Sequence, residues 1–85
     1  MGAPAEAITL TFPCEPRFVS VVKDAVATAV RNTGRDAAQA ETTASAVQHF
    51  LETCIAEALQ SPIAVRITDT LVHVDVSPRT LDVAL

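Results

Sequence analysis

Ile63-Ala64-Val65-Arg66-Ile67-Thr68, then Asp69-Thr70, then Leu71-Val72-His73-Val74-Asp75-Val76: this run carries two strand patterns back to back. In the first half Ile63, Val65 and Ile67 fall on one side, and Ala64, Arg66 and Thr68 on the other. In the second, Val72, Val74 and Val76 oppose His73 and Asp75. A period of two is the signature of a half-buried strand, and Asp69-Thr70 is a short polar connection, so the run predicts a β-hairpin. One face of that hairpin is aliphatic. It has to be covered by another layer of structure.

Upstream, the period changes. Ala40, Ala44, Val47, Leu51, Cys54, Ile55 and Ala58 recur at helical spacing, which predicts a helix from about Ala37 to Gln60. Asp36 followed by Gln39 resembles a capping box at its start, and Ser61-Pro62 stops it, because the residue before a proline avoids the helical region. An earlier stripe, Phe18, Val22, Ala25, Val26, Ala29 and Val30, predicts another helix from about Pro16 to Thr33. Pro16 suits its first turn, and Gly34 suits the left-handed position that closes it. Ala7 to Phe12 alternates once more, with Ile8, Leu10 and Phe12 on one face, and Pro13 ends it. After Val76 two readings stand. Ser77-Pro78 fits the cap and first turn of a short helix, whereas Leu81, Val83 and Leu85 fit a short strand.

The expected fold is therefore α+β: a two-layer sandwich of order β-α-α-β-β, with two helices on one face of a small antiparallel or mixed sheet. The 85 residues form a single domain, with a core at about 7–77 and a tail at 78–85. Hydrophobic residues make up 49% of the chain, but much of that is Ala, and the aromatics are only Phe12, Phe18 and Phe50. A thin core of this kind gains from self-association. The net charge of -4, with six scattered Lys and Arg, argues against a sequence-independent nucleic-acid surface and against a polybasic membrane patch. Residues 1–6 lack the features of a signal peptide, and no apolar run reaches the length of a membrane span, so the cytoplasm is the expected compartment. Cys14 and Cys54 make no disulfide framework and read as reduced thiols, Cys54 as a small core hydrophobe.

The stretch Phe12-Pro13-Cys14-Glu15-Pro16-Arg17-Phe18, followed by Gly34, the helix from Asp36 and Pro62-Ile63-Ala64-Val65-Arg66, resembles the histidine-kinase-like ATPases. Within that family it is most similar to the bacterial anti-sigma-factor serine kinases. The resemblance covers roughly residues 7 to 77. It implies a regulatory protein, usually a homodimer, whose partners are a sigma factor and an antagonist protein. In the family a second-helix Glu acts as general base, and an Asn one turn later helps hold Mg²⁺ against ATP. The matching positions here are His49 and Thr53, so neither residue type is kept. The Asp-x-Gly-x-Gly loop expected after the hairpin is replaced by Ser77-Pro78-Arg79-Thr80-Leu81. With Gly2 and Gly34 as its two glycines, the chain offers no phosphate-cradling loop there. The resemblance thus implies a shortened relative that keeps the frame and has lost ATP binding, with no cofactor.

Individual residues add modest signals. His49 and Glu52 stand three apart on the second helix, too few ligands for a stable metal site. His73 and Asp75 lie two apart on a strand, so both point to its outer face; a local pair or a pH-sensitive contact is one reading, and solvated polar positions are the favoured one. Cys14, just before a helix start, is a candidate reactive thiol. Phe50 reads either as an exposed anchor for a partner or as a core residue on a broad stripe. Candidate partner contacts are His49, Phe50, Arg66 and His73. Three functions compete: a non-catalytic regulatory binding module, a divergent ATP-binding kinase or ATPase, and a homo-oligomerisation element that pairs edge strands. The intact core pattern with missing nucleotide motifs favours the first.

Overall fold

The structure, a computed structural model, describes residues 8–85. The expected strand start at Ala7, and the reading of residues 1–6, lie outside that range. The chain runs β1 (Ile8–Phe12), a single 3-10 turn (Pro16–Phe18), α1 (Val19–Asn32), α2 (Ala37–Ala56), β2 (Ile63–Ile67), β3 (Leu71–Val76) and β4 (Arg79–Ala84). The strands form one antiparallel sheet in the order β1-β2-β3-β4. The two helices pack on each other and on one face of it, giving the expected α+β sandwich.

The period-two patterns set the faces. Ile63, Val65, Ile67, Val72, Val74 and Val76 are buried, and they share one core with Val22, Val26 and Val30 of α1 and Ala40, Val47, Leu51 and Cys54 of α2. Leu10 and Phe12 pack on the margin of this core. Ile8 belongs to the same face by register but remains 48% exposed on the edge strand. The residues 12–18 hold the turn from sheet to helix: Phe12 and Phe18 rings lie 5.9 Å apart, and the Arg17 guanidinium sits 5.0 Å over the Phe18 ring.

Three boundaries differ from the sequence expectation. The region 78–85 is not a tail: β4 pairs with β3 from Arg79 to Ala84, and Leu81 and Val83 pack on the core. The order is thus β-α-α-β-β-β, and Ser77-Pro78, joined by a cis peptide, forms the two-residue turn of a second hairpin. The first helix begins as a 3-10 turn before Val19. The second ends at Ala56 rather than near Gln60. There the Ala58 amide donates to the Ile55 carbonyl at 2.9 Å and the Leu59 amide to the Cys54 carbonyl at 3.2 Å. This is a Schellman closure, with Ala58 in the left-handed position (φ 57°) that glycine normally takes. An L residue there costs roughly 1–2 kcal/mol. Ala58→Gly is therefore expected to raise stability by about 0.5–1 kcal/mol once the greater unfolded-chain freedom of glycine is set against the relief. Urea denaturation checks this, and a loss of stability would contradict it. At the other helix junction the expectations hold. Gly34 has φ 89°, and the Asp36 carboxylate accepts from the Gln39 amide at 2.8 Å.

Candidate binding site on the open sheet face

The helices cover one face of the sheet, and the opposite face is built from the out-of-phase residues. Antiparallel register sets these side by side in rows, because directly opposed residues point the same way. One row is Thr9–Arg66–His73–Asp82, running from edge to edge. The next is Thr11–Ala64–Asp75–Thr80.

In the first row the polar groups meet. His73 Nδ1 and Asp82 Oδ1 are hydrogen bonded; with the imidazole Nδ1–H donating, the ring is oriented and Nε2 is left toward solvent. The His73 side chain is 35% exposed and that of Asp82 61%. The partner of His73 thus lies across the sheet on β4, and Asp75 belongs to the neighbouring row. Arg66 stands beside His73 and makes no ion pair among the described residues, so its guanidinium is available. Arg66, Thr68, Leu71, His73 and Asp82 line a shallow cavity of about 500 Å³. The Thr68 hydroxyl is engaged at its rim: it donates to the Leu71 carbonyl at 3.2 Å and accepts from the Leu71 amide at 3.1 Å.

Chemically, this row offers the planar donor fork of Arg66, a free imidazole nitrogen and one carboxylate. Such a set suits bidentate capture of a partner carboxylate with a neighbouring acceptor to fix its register. It holds no Ser or Cys beside the imidazole that the His–Asp pair would activate.

The family-matched positions lie elsewhere. His49 and Thr53 are exposed on α2, one turn apart, and the Thr53 hydroxyl donates to the His49 carbonyl at 3.1 Å. Neither lines the cavity on the sheet face. Glu52 accepts from the Gln48 amide group at 3.4 Å and is not joined to His49. Phe50 is half-buried against the margin of the core. Of the four candidate contacts, Arg66 and His73 are brought together; His49 and Phe50 sit on the helical layer. Asp82, the third member of the row, was missed by sequence reasoning. The signal that would have found it was the alternation of Leu81 and Val83, extended into a hairpin about Ser77-Pro78.

A second group gathers at the end of the sandwich where α2 closes and β4 starts. Arg79 donates through Nε and a terminal nitrogen to both carboxylate oxygens of Glu57. That contact holds the Glu57 carboxyl below its ordinary value and raises the Arg79 guanidinium in return. Cys54 lies buried nearby and Cys14 half-buried, both as free thiols. Among the described residues no three His, Cys, Asp or Glu side chains gather closely enough to hold a metal ion, and no helix is long and apolar enough to cross a membrane. Compared with known protein families and with curated proteins, the chain gives no match.

Proposed function

We propose that this chain is a non-catalytic regulatory module that binds a protein partner through its open sheet face. The single observation behind this reading is the Arg66–His73–Asp82 row: a cavity of about 500 Å³ with a guanidinium that makes no ion pair among the described residues and an oriented imidazole, but no Ser or Cys beside it. The residue types at His49 and Thr53, exposed on α2 and away from the cavity, support a site that does not grip phosphate. By the resemblance described above, the partner is of the sigma-factor or anti-sigma-antagonist kind in a bacterial cell, and the two free thiols suit the reducing cytoplasm.

The test is quantitative capture. The wild-type chain is expected to recover one stoichiometric protein partner from its source cell. The R66E/H73A variant should bind that partner at least about tenfold more weakly, as expected for lost charge-assisted hydrogen bonds. Recovery of chaperones alone, or full binding by R66E/H73A, would discard the reading. The competing view is an ATP-binding kinase with divergent motifs. Calorimetric titration with Mg-ATP separates the two: a micromolar isotherm would establish nucleotide binding, and a flat trace agrees with the proposal.

A further inference from the structure

Cys14 and Cys54 are distant in sequence, and the fold brings both to one end of the sandwich. Beyond the row Thr11–Ala64–Asp75–Thr80, that end of the sheet holds Phe12, Ile63, Val76 and Arg79. Cys14 follows Phe12 by two residues. α2 closes at the same end, where Arg79 holds both carboxylate oxygens of Glu57, and Cys54 lies in its last turn, just before Glu57. The Glu15 amide donates to the Pro13 carbonyl at 2.9 Å, a tight turn centred on Cys14. Pro13 and Pro16 fix their own φ and stiffen that segment. Cys14 packs against the core in which Cys54 is fully buried. Burial pushes the Cys54 thiol up, and the charge of Cys14 is the next cause in the same direction, ahead of the influences of Arg79 and Glu57. Coulomb interactions weaken with distance, so the two sulfurs are near neighbours. The chain has no other thiol to compete with this pair.

We propose that Cys14 and Cys54 form a reversible disulfide, with Cys14 as the entry point for a low-molecular-weight disulfide such as oxidised glutathione and Cys54 as the resolving thiol. Half-buried Cys14 is reached from solvent and buried Cys54 is not, which sets the order. The Cys14 thiolate attacks one sulfur of the small disulfide, forms a mixed disulfide with it and expels one thiolate. The Cys54 sulfur, its proton released to solvent, then attacks Cys14 Sγ and expels the second thiolate. Both cysteines are oxidised, the small disulfide is reduced to two thiols, and the two protons given up by the cysteines end on them. The Arg79 charge near Cys54 favours the attacking thiolate. The new bond closes a loop of about 40 residues and fastens the β1–α1 turn to the last turn of α2. In a reducing compartment such a bond is transient and reports oxidation. The Arg66–His73–Asp82 row lies on the open face of the sheet and takes no part, so this inference does not rest on the partner-binding reading.

Incubation of the folded full chain with oxidised glutathione, followed by intact mass and peptide mapping, tests this. The expected course is a mixed disulfide on Cys14, then a chain lighter than the reduced one by two hydrogens, with Cys14 joined to Cys54. The oxidised chain should melt on the order of 10 °C above the reduced one, and dithiothreitol should reverse the gain. C54A should stop at the mixed disulfide. C14S should react at least about a hundredfold more slowly than wild type, because its remaining thiol is shielded until the chain opens. A mixed disulfide that persists in wild type as long as in C54A would overturn the proposal. So would linkage only between chains, a Cys14–Cys54 bond that forms only in urea, or an oxidised chain that melts no higher than the reduced one. The wild-type course needs neither variant, so a C54A chain that fails to fold leaves the test intact.

Discussion

Leu51→Ala is expected to lower stability by about 3 kcal/mol, the range for removing a fully buried leucine and leaving a cavity behind it. Leu51 is fully buried and stands at the middle of the shared core, between α1, α2 and the sheet. Little else can move into its place, because its neighbours are mostly Val and Ala, which are short and stiff. A chain of this length has on the order of 4–13 kcal/mol in total, so the loss is a large share of what exists. The melting temperature should fall by roughly 12–24 °C. Ser45→Ala, on the exposed side of α2, is the control and should change stability by less than about 0.5 kcal/mol. Both must be compared at one protein concentration, since self-association shifts apparent stability. A Leu51→Ala chain that melts within a few degrees of wild type would mean that the core is not organised around this side chain.

The second large effect is on the thiols. Cys54 is fully buried and Cys14 half-buried, so an alkylating reagent should reach Cys14 in the folded chain and Cys54 only when the molecule opens. With an opening free energy of even about 4 kcal/mol, Cys54 should react roughly a thousandfold more slowly than Cys14. Burial is the main cause that pushes the Cys54 thiol above its ordinary value of 9.0, helped by Cys14 and Glu57 and opposed by Arg79. The sign of the pH dependence follows. The unfolded chain loses this proton at lower pH than the folded chain, so above about pH 9 folding holds more protons and stability declines with rising pH. Below that range the contribution is constant. Mass spectrometry of timed alkylation, repeated at several pH values, reads both effects. Equal labelling of the two cysteines would show that α2 is not seated on the sheet as described.

Alternation in 63–76 was enough to predict β2, β3, their turn and the buried face, because strand side chains have only two directions to point. Helical stripes placed α1 and α2 for the same reason at a different period. The end of α2 was not legible. Ile55, Ala58 and Leu59 continue an apolar pattern past the point where the backbone turns, and the closure at Ala58 uses a residue that gives no left-handed signal. The strand β4 was equally ambiguous, since Ser77-Pro78 suits a helix start as well as a turn, and only the neighbouring β3 ladder separates the two. One of the three residues of the candidate row shared that fate. Arg66 and His73 were visible as outward residues, but Asp82 could join them only once β4 had a partner.

The amino-acid order alone determined which residues turn inward, where each period begins and which nucleotide-gripping residue types the chain lacks. Those are local properties, set by side-chain direction and backbone preference within a few positions. Tertiary structure decided that Asp82 rather than Asp75 meets His73, that residues 79–84 are a strand, and that β1 is left as an uncharged edge beside a groove. Each of these depends on register between segments distant in sequence, and register is fixed by the packing of the whole buried face.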